Sequence, residues 1–379
     1  MTGDRADAVE FLVFPNERNA VLLVPRRPRR VGAGALRNYK ASADRRDRLR
    51  FLALALAVRT GLAEVLPDRI GIEPGASGPA ADIGGYVRTA LRADVLFSLY
   101  IGPARANRKP VLQALAPDGK VTGFVKVGIK SLTCELVRAE ARALAFLDSV
   151  TLPHLEAPRL LHHGSWQGHE VLVQQALPAG RPARSAADVS GAMAELAGVR
   201  GLRHLPAAQS PYWQDLQARL LAVPRRELAN PLLQALDRLQ PVAAGATLAF
   251  GTWHGDWTPW NMTMLRDRVL VWDWERFSTG VPVGFDAAHY SMQAAIVRGG
   301  VDAEAAADAV VTNAAGILAP LGVDPAAAGL VASLYLIEIA ARYLHDGQAE
   351  AGNRLGQLGT WLLPALGRHT QRLADGGRR

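Results

Sequence analysis

Between His254 and Glu275 the chain reads HGDWTPWN, then MTMLRDRVLVW, then DWE. One imidazole, the carboxylates of Asp256 and Asp273 and the amide of Asn261 fall within about one hairpin's length of each other. Gly255 and Pro259 interrupt any regular element, so Asp256 and Asn261 sit on a loop. The apolar run Val269 to Trp272 reads as a buried strand. Asp273 follows it directly, which delivers its carboxylate to the same end of the hairpin as the loop. Oxygen ligands of this kind suit a hard ion such as magnesium, which binds through one or two carboxylates and completes its shell with water and substrate phosphates.

Such a hairpin needs a scaffold, and the chain around it changes character twice. From Ala93 onward, VLFSLYIG, PVLQALAP and GKVTGFVKVG each have a strand's length and pattern with turn residues between them, which predicts an antiparallel meander. A helix follows over Leu132 to Asp148, with Leu136, Ala139, Ala143, Leu144 and Leu147 at helical spacing. LLHHGSW and HEVLVQQAL then read as two more strands, and PAGRPA as a hinge. Beyond it the pattern is helical: Ala186 to Val199, Trp213 to Leu221, Glu227 to Leu239, Asp286 to Arg298, Ala303 to Leu318, Pro325 to Tyr343 and Arg354 to Ala374. The expected fold class is α+β, a strand-rich lobe followed by a helical lobe that holds the acidic hairpin. A cleft between two such lobes is a common place for a small ligand.

Upstream, Glu10 to Val24 predicts a hairpin and Asp44 to Val65 a helix, separated by an arginine-rich stretch from Arg26 to Arg50. That stretch reads as a solvated loop and helix face in preference to a phosphate or nucleic-acid patch. The Gly/Pro-rich GIEPGASGPAADIGG is the best boundary in the chain. The expected division is an accessory α/β segment over 1–85, a nucleotide-binding lobe over 86–178 and a catalytic, acceptor-binding lobe over 179–379.

A chain of 379 residues, 49% hydrophobic and 21% charged, can bury a large core and is not of disordered composition. Its net charge of +8 fits an acidic substrate such as a nucleotide as well as it fits nucleic acid. Cys134 is the single cysteine, which excludes an intrachain disulfide and thiolate metal clusters. The start, MTGDRADAVEF, does not look like a signal peptide. The early run Phe51 to Val58 is far short of the ~20 residues that span a bilayer. A cytoplasmic protein without membrane or nucleic-acid partners is expected.

HGDxxxxN followed by DxE after an apolar strand resembles the catalytic core of the aminoglycoside phosphotransferase family, small-molecule kinases with a two-lobed protein-kinase-like fold. The resemblance runs from about Ala93 to the C-terminus; the first ninety or so residues have no counterpart in it. It implies that Asp256 orients the acceptor hydroxyl and takes its proton late, and that Asn261 and Asp273 hold magnesium against the phosphates of ATP. Positioning and charge neutralisation supply most of the rate in such transfers. It places Lys126, in GFVKVG, on the nucleotide phosphates, with Glu140 as its carboxylate partner and Glu135 as the other possibility. It puts adenine recognition on the backbone of Gln174 to Leu177, Gln174 and Ala176 above all. Asp286, in GFDAAHY, is either a helix N-cap or the aspartate that braces the catalytic loop. The pattern departs from protein kinases in three places: GPARANRKP has one glycine, Trp274 stands where they have phenylalanine, and no APE-like segment follows Glu275.

His254 reads as scaffold under the loop, because no GxSxG-like nucleophile elbow is present to use it. Glu275 either reaches the ligands of the metal or ends the strand. Trp253, Trp257, Trp260 and Trp272 read as core, with Trp257 the exception expected near the acceptor. Asp302, Glu304, Glu338 and Asp346 are the candidates to meet an amine on the acceptor. The expected function is ATP- and magnesium-dependent phosphorylation of a hydroxyl on an aminoglycoside, sugar, amino sugar or amino alcohol. The competing readings are a catalytically inactive kinase-like nucleotide-binding or regulatory module, and a metal-dependent hydrolase that would leave Lys126 unexplained.

Overall fold

A computed structural model describes residues 9–38, 45–65, 68–72, 81–102, 105–178 and 188–376. The chain forms two compact units, one of Met1–Pro103, Asn107–Ser149 and Ala157–Ala179, the other of Ala104–Ala106, Val150–Glu156 and Gly180–Arg379.

The first unit is built on one antiparallel sheet. Its strands are β1 (Val9–Phe14), β2 (Leu22–Pro25), β3 (Arg69–Ile72), β4 (Leu96–Tyr100), β5 (Val111–Leu115) and β6 (Val121–Gly128). β7 (Leu155–Glu156) belongs to the second unit, and β8 (Leu160–Trp166) and β9 (His169–Gln175) complete the sheet in the order β3-β1-β2-β4-β5-β6-β9-β8. The helices are α1 (Arg29–Asn38), α2 (Arg45–Thr60), α3 (Ile83–Leu91) and α4 (Ser131–Leu147). Alternation along β6 sorts its side chains: Val125 and Val127 join Val87 of α3 in one apolar cluster, while Lys126 points to the other face.

The expected boundary within 71–85 does not divide this sheet. Leu22 and Leu23 of β2 pair with Tyr100 and Leu99 of β4. Leu12, Val24, Leu36 and Val58 share a core with Leu115, against which Leu96 and Val121 also pack. A Cβ on Gly34 of α1 would stand 2.0 Å from the carbonyl oxygen of Gly119 in the β5–β6 turn, so the helix rests directly on that turn. The segment lacking a counterpart in the resemblance is thus hydrogen-bonded and packed into the strand-rich unit. Most of the expected hinge, residues 179–183, lies outside the described residues.

The second unit is mainly helical: α5 (Val189–Gly198), α6 (Pro211–Leu221), α7 (Arg226–Ala244), α8 (Phe285–Val297), α9 (Ala303–Thr312), α10 (Ala314–Leu318), α11 (Pro325–Asp346) and α12 (Leu362–Gly376). The span expected as one helix over Ala303 to Leu318 breaks at Asn313, whose side chain bonds back to the Ala309 carbonyl. The last expected helix starts only at Leu362; the glycine-containing stretch before it folds as two short 3-10 turns, Arg354–Gly356 and Leu358–Thr360. α11 starts on an Asp324 N-cap with Pro325 at its first position. It is long and apolar enough to cross a membrane, yet 83% of its most apolar window is buried in the protein, as in a core helix.

Two small sheets frame the acidic hairpin. β10 (Arg203–Pro206), β11 (Thr247–Trp253) and β14 (Ser278–Pro282) form one, in the order β10-β11-β14. β12 (Met262–Met264) and β13 (Val269–Val271) form an antiparallel hairpin, and β13 pairs in parallel with β7. HGDWTPWN is therefore the connection from β11 to β12, and Asp273 lies in the connection from β13 to β14, one residue past Trp272.

Candidate active site

In the strand-rich unit, Lys126 Nζ donates to both carboxylate oxygens of Glu140, at 2.6 and 2.7 Å. Both side chains are buried, at 8% and 0% exposure, so neither charge is relieved by water and the pair holds the ammonium in one place. Gly128 lets β6 come this close to α4, since a Cβ there would lie 2.7 Å from the Cα of Cys134. Glu135 is exposed and accepts from Ser131 Oγ at 3.2 Å. Gln174 is buried on β9, and its Oε1 has no hydrogen-bond partner. The Ala176 N–H donates to the Thr122 carbonyl at 3.1 Å, which continues the β6–β9 ladder.

In the helical unit the loop after β11 is fixed from beneath. Asp286, on the first turn of α8, accepts from the backbone N–H groups of His254 (2.7 Å) and Gly255 (3.1 Å). Its helix is capped by Gly284, so of the two readings the brace is the one the geometry matches. Gly255 has φ +84°, and a Cβ there would meet the Arg276 carbonyl at 2.4 Å, which restricts the position to glycine. Arg342 of α11 donates to the Gly255 carbonyl at 2.5 Å. Burial of Asp286 outweighs its two N–H bonds and the charge of Arg342 and pushes its carboxyl up to about 7.

His254 lies under the turn. Its Nδ1 accepts from the Asp256 N–H at 3.1 Å, so Nε2 carries the proton and donates to the Trp272 carbonyl at 3.1 Å. This one ring ties the loop before β12 to the end of β13. Its burial pushes its pKa down to about 4, against the pull of Asp256 and Asp273, so the ring is neutral. The scaffold reading matches this placement.

The Asp256 side chain is partly open, 37% exposed, and each oxygen has one partner. Oδ1 accepts from His289 Nε2 at 3.0 Å and Oδ2 from Asn261 Nδ2 at 2.9 Å. His289 is buried, and its Nδ1 lies 2.9 Å from the Tyr335 hydroxyl. Burial raises the Asp256 carboxyl, but His289 and Arg342 outweigh it and the net shift is downward. Burial also lowers the His289 pKa, only partly offset by Asp256, so the imidazole is a neutral donor beside an ionised carboxylate.

Asn261 Nδ2 also donates to the Asp256 carbonyl, at 3.1 Å. Both partners of that nitrogen are acceptors, so Oδ1 faces away from them and is the atom left for a cation. Asp273 takes the left-handed conformation, φ 74° and ψ 55°, where a non-glycine residue is strained, and it is half-buried. Strain of about 1–3 kcal/mol at such a position persists only when the surroundings impose it. An amide oxygen and a carboxylate are the donor set a magnesium ion takes.

Two expectations are corrected. Trp257 is fully buried, with Nε1 on Met262 Sδ at 3.3 Å, so it is core and cannot face an acceptor. The acidic residues expected to meet an amine are all engaged in the fold. Asp302 caps α9 through the N–H groups of Glu304 and Ala305, and Glu304 pairs with Arg368. Glu338 takes both ends of the Arg219 fork (3.0 and 2.7 Å) and the Tyr212 hydroxyl (3.1 Å), and Asp346 takes the fork of Arg276. Sequence reasoning passed over His289, Tyr335 and Arg342. The one signal was His289 in the already quoted GFDAAHY, a single helical turn after Asp286.

Residues 129–315 match the sequence model of the phosphotransferase enzyme family. That stretch contains Glu140, Asp256, Asn261, Asp273, Asp286 and His289 and begins just after Lys126. A UPF0736 protein of Shouchella clausii is 30% identical over 97 residues, which are 25% of this chain; the chain spans 38% of that relative's length. Among solved structures, APH(2'')-IIa in a streptomycin–ATP ternary complex is similar at 12% identity and TM-score 0.47, over 79% of this chain and 99% of that one. A thermostable mutant of aminoglycoside phosphotransferase APH(4)-Ia is similar at 14% identity and TM-score 0.46, over 78% and 99%. Choline kinase LicA from Streptococcus pneumoniae is similar at 14% identity and TM-score 0.45, over 77% and 98%.

Proposed function

Taking residues 129–315 as a phosphotransferase core, we propose that the protein transfers the terminal phosphoryl group of ATP, with magnesium, to a hydroxyl of a small molecule. The observation that carries this reading is the Asp256 carboxylate: ionised, partly open, and fixed at both oxygens by His289 and Asn261. A carboxylate held this way can orient an acceptor hydroxyl and take its proton late in a loose transition state, where a weak base suffices. Lys126, locked by Glu140, would meet phosphate oxygens of the nucleotide. Asn261 Oδ1 and the Asp273 carboxylate would hold magnesium, which when bound neutralises charge on the phosphates. His289 and Tyr335 act behind Asp256, and Asp286 and His254 hold the loop that carries it.

The test is ADP formation with ATP, magnesium and a panel of hydroxylated acceptors. Acceptor-stimulated ADP that falls at least about 100-fold in Asp256→Ala supports the reading. Nucleotide binding without turnover on any acceptor would reduce the protein to a nucleotide-binding module.

A further inference from the structure

The helical unit holds a cavity of about 670 Å³ beside the catalytic loop. Its lining includes Trp253, three residues before Asp256, and Arg342, whose guanidinium holds the Gly255 carbonyl. This is the size of site that takes a sugar-sized ligand. Arg219, Arg276 and Glu338 line it as well.

The hydrogen-bonding capacity of this wall is one-sided. Each guanidinium has five N–H donors and no acceptor. Glu338 accepts two bonds from Arg219 and one from Tyr212, and Asp346, behind the wall, accepts from Arg276 and from Gln348. Glu275, also in the lining, is buried and lies in the field of Arg276. Glu338 and Asp346 cannot receive an ammonium without giving up the guanidinium each already holds. Arg342 differs from the other arginines. Among the described residues it forms no ion pair; one N–H is on the Gly255 carbonyl, and its guanidinium carbon stands 5.6 Å from the Trp253 ring centroid. The wall therefore has hydrogen-bond donors to give, and Arg342, whose charge also acts on Asp256 and Asp286, keeps N–H groups that no carboxylate among the described residues takes. A planar guanidinium backed by an indole is suited to a carboxylate or phosphate.

From this we infer that the cavity binds the acceptor through an oxyanion held by Arg342, so the acceptor is a hydroxylated acid, such as a sugar acid or sugar phosphate, and not an amine. The inference rests on the phosphotransferase reading only for the word acceptor; the site itself stands on the geometry.

Its test is calorimetric binding to the full chain of four compounds on one six-carbon scaffold, glucosamine, glucose, gluconate and glucose 6-phosphate, with inorganic phosphate titrated as a control. The expected result is that at least one of the two anions binds tenfold or more tightly than glucose, and that glucosamine gains nothing. The choice between the two anions identifies the oxyanion. Arg342→Gln should erase the preference and Arg342→Lys, which keeps charge but not the fork, should keep part of it. Should Arg342→Gln fold poorly, the wild-type protein still decides, because the preference must shrink as salt rises. Tighter binding of glucosamine, equal binding of inorganic phosphate alone, or binding of none of the four overturns the inference. ADP formation in the same samples separates the two readings. An anion bound with no ADP removes the phosphotransferase reading and leaves the site, whereas ADP stimulated by the amine alone does the reverse.

Discussion

His289 Nε2 stands 3.0 Å from Asp256 Oδ1, and because an ionised carboxylate can only accept, the imidazole donates there and must accept at Nδ1 from the Tyr335 hydroxyl. Burial raises the Tyr335 pKa well above its ordinary range, so that hydroxyl stays protonated and able to donate. Two α-helices, α8 and α11, thus set the direction of one carboxylate on a loop.

His289→Phe should remove the donor to Oδ1 while leaving an aromatic ring in the core. We expect kcat to fall by roughly 10- to 100-fold, the usual cost of a misplaced reacting group. KM for ATP should stay within about a factor of two, since uniform binding is untouched. Tyr335→Phe should lower kcat less, because the Asp256 contact survives. Steady-state kinetics check both, and a change confined to KM would count against the positioning role.

Glu140→Gln removes the carboxylate charge from the buried pair with Lys126. The protein should lose about 3–5 kcal/mol of stability, as buried pairs do when one member is removed. Glu135→Gln, at an exposed position, should change stability by no more than about 0.5 kcal/mol. Urea denaturation of the two variants side by side distinguishes the partners.

Two buried groups under the loop should give opposite pH slopes. The Asp286 carboxyl is raised from 3.8 to about 7 in the fold, so its contribution is present below the lower value and is lost as pH rises through the upper one. The His254 ring is lowered from 6.5 to about 4, so its contribution is present above the upper value and is lost as pH falls toward the lower one. Relative to Asp286→Asn, the wild type should weaken as pH climbs across that window; relative to His254→Gln, it should weaken as pH drops. Denaturation midpoints at several pH values between these limits report both signs.

Much of this site is written locally in the chain. HGDWTPWN and DWE announce a loop and a strand end, whereas Lys126 is singled out only by the resemblance, because by itself it reads as a solvent-facing lysine on an alternating strand. The choice of Glu140 over Glu135 followed the resemblance; the structure supplies the reason, since the helix buries Glu140 and leaves Glu135 in water. What stayed illegible depends on pairing across long separations. Nothing in the sequence around Glu338 or Asp346 says that Arg219 and Arg276 will close on them, and a carboxylate that looks available in one dimension is occupied in three. The same holds for the bond between Asp256 and His289, 33 positions apart on different elements. The first strands are the clearest case of packing overriding punctuation: a Gly/Pro-rich stretch reads as a boundary, yet one sheet forms from the segments on both sides of it.

That shared sheet bears on how the chain can be shortened. β4 meets β2 along one side, and a chain trimmed to begin at residue 86 would leave that side as a bare row of amide and carbonyl groups. Leu96, Leu115 and Val121, which pack against the removed residues, would face water beside it. An open apolar edge is a template for another chain's strand. The strands before residue 86 therefore cover the β4 side of this sheet, and a shortened chain must replace β2 with an edge that refuses partners.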